Sequence, residues 1–528
     1  MTTSQSSSNS KNPMLIFVSI SIWVGLIVLI IWPWIHIIDQ QDLNFSYLAH
    51  INAGIWWIIL LWALHHMSYQ VASLFQKKKE QVDTTLNHQR PSVAIFYLTC
   101  DDFNPDCCMS CINQEYPSAV VFICDDSKTK KFQDEIDRFC SLQPGAILIR
   151  RTEHIGYKAG NINNAIKRTD AEWILLVDAD QTLPKNYLTD IIGHLTSNMD
   201  SIAFVQGAHK TADLPQNSLF QQALSPEVGF FYSRDLPARS KYGFVPLLGH
   251  GALIRASSLE KVGGVPEVVS EDFAFAMKCI NKGMRGHYLE HVESEEAYPY
   301  DFGGFLLRLR KFSGGTAELV RQEITGFLFG EGSLPEKWDM VIMLAWYLLM
   351  PLLVINGFLG SYVVHRLWID NISYLHPVLP YLYIWMLLAN ISLSISSTGN
   401  LTKTLKFYFW SSAIYIASLP LASASFLGGL VSKPKFRRTP KNGERTFINK
   451  FDSVFMVALG ALAIYCSFRW LSPYSPLLAG QGIAYLSFPF YNSLNLNTIG
   501  GKISRFIINI PGLAIIFALF AMWQWGRY

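Results

Sequence analysis

Seven near-continuous apolar runs constrain this chain more than any other feature. They lie at roughly residues 14–38, 52–75, 340–364, 375–396, 407–431, 452–470 and 509–526. Each is near the ~20 residues that carry a helix across a bilayer. A lipid-exposed segment must satisfy its own backbone hydrogen bonds, which a helix does. Only 16% of the chain is charged, against roughly 25% in soluble domains. Between 76 and 330 the runs give way to sequence of soluble α/β character. The first run is long, carries Pro33 and several Trp, and lacks a small-x-small cleavage site. It therefore reads as an uncleaved span rather than a signal peptide.

The net charge of +3 says little, but its distribution says more. Lys77, Lys78 and Lys79 follow the second run, and Lys433, Lys435, Arg437, Arg438, Lys441, Arg445 and Lys450 cluster between two later ones. The positive-inside bias puts both clusters on the cytoplasmic side. The 76–330 domain is then cytoplasmic and the 39–51 loop outside. Three runs separate that domain from the basic loop, where an even number of crossings is required. The 407–431 run, with Pro420, Gly428 and Gly429, is expected to be re-entrant or interfacial. A transporter would place ionisable groups inside the spans, and few occur there. Nothing resembles the basic, aromatic-interleaved face of a nucleic-acid binder. Most of the cysteines fall in the cytoplasmic domain, which argues against disulfides. Cys100, Cys107, Cys108 and Cys111 lack the paired spacing of a zinc site.

Within the soluble region strands and helices alternate. Val93–Thr99, Val120–Cys124, Ala146–Arg150 and Trp173–Val177 read as strands, with helices expected at 106–114, 131–140 and 159–167. This alternation predicts a parallel sheet covered on both faces. A strand at 202–205, a helix over 220–234, a helix over 273–282 and a strand over 285–289 follow. Open α/β sheets bind ligands at the carboxyl ends of their strands. Two of the buried strands end in acids there, Asp125-Asp126 and Asp178-Ala179-Asp180. In extended backbone, residues i and i+2 point the same way, so Asp178 and Asp180 can reach one hard cation such as Mg2+ or Mn2+. The ordinary alternative is an Asp that caps a helix.

Other residues have the same two-sided character. Glu271 and Asp272 open a helix after Ser270, either as a capped start or as a general base for a sugar hydroxyl. Lys158 could neutralise a phosphate, with Gly160 permitting close approach, or be a solvated lysine. Gly249 and Gly251 around His250 would let backbone approach a ligand. Arg308, Arg310 and Lys311, before Phe312, could hold a diphosphate or lie on anionic lipid.

In this order and spacing the motifs resemble the membrane-embedded family 2 glycosyltransferases, such as cellulose and hyaluronan synthases. The resemblance rests on Asp125-Asp126, Lys158–Asn163, Asp178-Ala179-Asp180, Gly249-His250-Gly251 with Arg255, Ser270-Glu271-Asp272, Arg308–Phe312 and Phe436–Lys441. It implies an α/β GT-A (Rossmann-like) cytoplasmic domain plus an α-helical transmembrane region. It implies base and ribose contacts for Asp125 and Asp126, a diphosphate contact for Lys158, a metal at Asp178 and especially Asp180, and a catalytic base at Asp272. Phe436, Thr439 and Lys441 resemble a gating loop. The family's Q-x-x-R-W is altered to Arg308–Phe312, His250 replaces a Thr, and Arg438 replaces the Val of the gating motif.

The domain boundaries expected are a disordered tail at 1–12, two transmembrane helices at 13–76, a GT-A domain at 90–320, an interfacial helix and transmembrane helices at 321–432, a gating-like loop at 433–450, and two transmembrane helices at 451–528. The expected function is inverting transfer of a sugar, glucose by resemblance, from a UDP-sugar to a growing polysaccharide at the plasma (inner) membrane. Partners would be a nucleotide-sugar donor, a glycan acceptor, membrane lipid and an accessory subunit, with no nucleic acid. The alternative is addition of one sugar to a lipid-linked or other acceptor.

Overall fold

A computed structural model describes residues 11, 13–31, 38–39, 41–75, 90–195, 201–212, 217–370, 391, 395, 399–434, 439–440 and 445–525. The soluble domain is built on a seven-stranded sheet. Its strands are β1 (Val93–Thr99), β2 (Ala119–Asp125), β3 (Ala146–Arg150), β4 (Trp173–Asp178), β5 (Ile202–Thr211), β6 (Ala252–Arg255) and β7 (Arg285–Glu296), in the order β3-β2-β1-β4-β6-β5-β7. The side-chain period of two splits β1 between two cores. Ala94, Phe96 and Leu98 pack into one, Val93, Ile95 and Tyr97 into the other. A strand buried on both faces reads as an unbroken apolar run, which is why these segments are visible in the sequence.

The sheet is mixed rather than parallel throughout. β1 pairs in parallel with β2 and β4, and β2 with β3, but β6 runs antiparallel to both β4 and β5. β6 has four residues and follows the Gly249-His250-Gly251 turn directly, so its direction is set by a loop rather than a crossover helix. The helix expected over 220–234 is divided into Leu219–Leu224, Pro226–Phe230 and a π-helical turn at Phe231–Asp235. Pro226 cannot donate to the preceding turn, and it starts a new helix instead.

Among the described residues, five helices are long and apolar enough to cross a membrane: Asn44–Leu74, Leu334–Ile369, Leu401–Val431, Lys450–Arg469 and Ile499–Gln524. The 407–431 run is unbroken. It belongs to one helix, Leu401–Val431, with Pro420 in its interior. The 1–12 tail apart from Lys11, most of the 375–396 run, and Phe436 and Lys441 lie outside the described residues. The amphipathic Phe302–Gln322 helix lies between sheet and spans, earlier in the chain than the interfacial helix expected after 321. Its glycines let it approach both. A Cβ on Gly315 would meet Ser270 Oγ at 2.5 Å, and one on Gly429 of the Leu401–Val431 helix would meet the Gly314 carbonyl at 2.7 Å.

Candidate active site

Parallel pairing to β1 sets the site. Thr99 is in register with Asp125 on β2, and Leu98 with Asp178 on β4. The two acidic strand ends therefore flank β1, one strand removed from each other. Beyond Asp178 the chain turns: the Gln181 N–H donates to the Asp178 carbonyl at 3.0 Å. Asp180 thus sits in a tight turn rather than on extended backbone, and it is buried.

Lys158 joins this edge to the helix that starts at Glu271. Its Nζ lies 2.8 Å from Asp178 Oδ1, 3.9 Å from Glu271 Oε1, and donates to the Gly249 carbonyl at 2.8 Å. A Cβ added at Gly249 would stand 3.2 Å from Asp272 Oδ2 and 3.3 Å from Lys158 Nζ. Gly249 has φ +78°, in the left-handed region open to glycine. Asp178, Lys158, Gly249, Glu271 and Asp272 are thus brought together.

The electrostatics follow from this crowding. Burial pulls the Lys158 ammonium down, but Asp178, Glu271 and Asp272 outweigh it and hold it above its ordinary value. Burial and the neighbouring Asp272 push Glu271 up to about 7. Burial also raises Asp272, against hydrogen bonding from the Phe273 N–H and the opposing charges of Lys158 and Lys311.

The Lys158–Asn163 segment is explained residue by residue. Ala159 and Ile162 enter the core. Asn161 Nδ2 donates to the Cys124 carbonyl at 2.8 Å, and Asn163 pairs with the backbone of Val265. A Cβ at Gly160 would collide with the Ile155 carbonyl. The close approach Gly160 permits is thus to its own loop, not to a phosphate. The helix begins at Tyr157 with φ +53°, immediately before Lys158. Such backbone costs of order 1–3 kcal/mol and tends to cluster at functional sites.

Asp125 and Asp126 hold partners that the sequence did not point out. Arg150 Nε donates to Asp125 Oδ2 at 2.6 Å, and Arg151 grips both Asp126 oxygens at 2.6 Å. Arg151 also donates to the Tyr157 carbonyl, so Asp126 is linked to the turn carrying Lys158. The signal was present as two arginines ending a strand, but it needed the β3–β2 pairing to be read.

The cations of the Phe302–Gln322 helix diverge. Arg308 binds Glu227 at 2.7 Å, and Arg310 binds Asp452 at 2.8 Å. Lys311 alone acts on Glu271 and Asp272. Phe312 is 43% exposed. His250 turns from Gly249 toward Glu296, at 3.6 Å. Thr439 is partly buried.

Residues 173–425 match the family described as Glycosyl transferase family group 2. The strand order and the acidic strand ends accompany this match, and the described residues include helices with the length and apolarity of membrane spans. The chain is similar to cellulose synthase catalytic subunits. It is 27% identical over 217 residues to that of Xanthomonas axonopodis pv. citri (strain 306), covering 40% of this chain and 29% of the relative. It is 25% identical over 335 residues to cellulose synthase 1 of Komagataeibacter xylinus, covering 61% and 43%. The chain thus spans less than half the length of these relatives. A mannosyltransferase from Pyrobaculum calidifontis, solved with GDP-Man and Mn2+, covers 69% of this chain and 97% of its own, with a TM-score of 0.44 and 18% identity.

Proposed function

We propose that the protein transfers a sugar, glucose in the leading reading, from a UDP-sugar to a growing polysaccharide with inversion, on the cytoplasmic face of the plasma membrane. Membrane translocation of the product would be coupled to transfer. The observation that carries this is the Lys158 ammonium bridging Asp178 at a strand end to the Glu271-Asp272 helix start. A cation between acids from two elements, beside a glycine loop, suits a diphosphate leaving group next to a general base.

Asp272 is the base. It takes the proton of the attacking acceptor hydroxyl, and Lys158 and Lys311 offset the negative charge on the departing diphosphate. Glu271 shares the burial and holds Lys158 in place. Asp125 and Asp126 receive the nucleoside, exchanging part of their contact with Arg150 and Arg151. Gly249 and His250 serve the acceptor, Phe312 serves the acceptor and diphosphate with Arg308 and Lys311, and Phe436, Thr439 and Lys441 keep their reading as a gating-like loop. Asp178 and Asp180 offer carboxylate oxygens only, a donor set suited to Mg2+ or Mn2+. Asp180 would be the principal ligand. Such an ion would supply Lewis-acid stabilisation of the leaving group.

The test is turnover of radiolabelled nucleotide sugars by purified protein, with released UDP and product length both measured. Polymer from UDP-glucose supports the reading; no UDP release from any UDP-sugar overturns it. Commitment of Arg308 to Glu227 favours a second reading, addition of a single sugar to a lipid-linked or other acceptor. Its signature is a product one residue longer than the acceptor.

A further inference from the structure

Behind the acidic turn lies a second set of ligand-type groups. His209 on β5, His250 between the two left-handed glycines, and Glu296 at the end of β7 place one ligand atom each within 4.8 Å of one another. Three elements distant in sequence meet here through the β5–β7 and β5–β6 pairings. His209 is buried, while His250 and Glu296 are partly open. The two imidazole rings lie 4.3 Å apart.

The surroundings order this set. Ser294 Oγ lies 2.8 Å from His209 Nδ1, and Gln181 Nε2 lies 2.7 Å from Ser294 Oγ. His209 Nε2 faces the His250 carbonyl at 3.2 Å. A Cβ on Gly251, which has φ +55°, would meet His209 Nε2 at 2.8 Å. Glycine there lets the loop close onto the ring. An outer hydrogen bond that fixes the tautomer and orientation of a histidine is the usual companion of metal ligation.

We propose that His209, His250 and Glu296 form a binding site for a first-row divalent cation of the Zn2+ or Co2+ kind, separate from the Asp178-Asp180 site. Two imidazoles and one carboxylate make a set that such ions favour. The oxygen-only pair at Asp178 and Asp180 favours harder ions. His209 binds through Nε2, while its proton resides on Nδ1 and is donated to Ser294 Oγ. The ion then replaces the contact between Nε2 and the His250 carbonyl. Held this way, the Gly249-His250-Gly251 loop keeps the Gly249 carbonyl on Lys158. The proposal does not depend on which sugar is transferred, or on transfer at all.

The test uses the full chain in detergent with an affinity tag free of histidine, stripped with chelator and titrated with Co2+. Visible ligand-field bands and calorimetric stoichiometry are both read. The wild type is expected to show histidine-type Co2+ bands that excess Mg2+ does not remove. His250→Ala and Glu296→Gln, at partly exposed positions, should abolish those bands while thermal unfolding stays cooperative. Asp180→Asn should retain them. Absence of bands in the wild type, their persistence in both His250→Ala and Glu296→Gln, or their loss in Asp180→Asn would overturn the site.

Discussion

Lys158 and Asp178 form a 2.8 Å salt bridge between the first turn of a helix and the last residue of a strand. The pair is the hinge between the acidic sheet edge and the helix starting at Glu271. Lys158→Met removes a positive charge that Asp178 and Glu271 share. One preorganised electrostatic donor contributes on the order of 10²–10³ in rate, so UDP release should fall by about that factor. Lys158→Arg should rescue only part of it, since a planar fork cannot replace a point charge that meets a carboxylate and the Gly249 carbonyl from one atom. Full turnover by Lys158→Met would remove the residue from the reaction.

Asp272→Asn keeps the shape of the helix start and its hydrogen bond from the Phe273 N–H. UDP binding by calorimetry is expected to stay near that of the wild type while transfer disappears. A variant that still transfers sugar would exclude Asp272 as the base.

Glu271 provides a pH test. Its carboxyl is raised from 4.5 to about 7 by burial and by Asp272. The folded state therefore holds this proton more tightly than the unfolded chain does. Stability from this group is present below about 4.5, declines as pH rises through the window, and is gone above about 7. Glu271→Gln should raise the unfolding temperature more at pH 8 than at pH 5. An equal effect at both values would show that Glu271 titrates normally.

The strand ends were legible because buried parallel strands are unbroken apolar runs, and whatever follows them stands at the ligand-binding edge. Asp125 and Asp178 were read this way. The partners were not. Arg150 and Arg151 reach Asp125 and Asp126 only because β3 lies beside β2, a neighbour relation that no local pattern encodes. His209 sits within an apolar strand, and its meeting with His250 depends on antiparallel β6. The divergence of Arg308 and Arg310 was within reach, since residues two apart stand about 200° around a helix.

The Gly315 contact tests how the membrane region positions the acids. A valine there must displace Ser270, whose Oγ would lie 2.5 Å from the new Cβ, and Ser270 adjoins Glu271. Overpacking of this kind costs about 1–3 kcal/mol, and transfer should fall further than thermal stability alone would explain. Gly326→Ala is the control. A Cβ at Gly326 meets nothing within 4 Å, and in a helix the change favours folding by up to about 1 kcal/mol. Equal activity of Gly315→Val and Gly326→Ala would dissociate the Phe302–Gln322 helix from the site.

Arg239 and Asp339 join the soluble domain to the Leu334–Ile369 span through a fully buried ion pair. Asp339 also accepts from the Phe244 N–H at 2.9 Å and lies 3.0 Å from His65 Nε2 on the Leu43–Leu74 helix. Three elements therefore converge on one carboxylate. Removing one member of a buried pair costs about 3–5 kcal/mol, because the other charge is left uncompensated. Asp339→Asn keeps one carbonyl oxygen, which can still accept from the Phe244 N–H, but strands the Arg239 charge, so unfolding in detergent should occur at a markedly lower temperature. Adding Arg239→Met removes the stranded charge and should restore much of the loss. If the double variant is no more stable than Asp339→Asn alone, the cost lies in the hydrogen bonds to His65 and Phe244, and the ion pair is not what anchors the domain to the membrane helices.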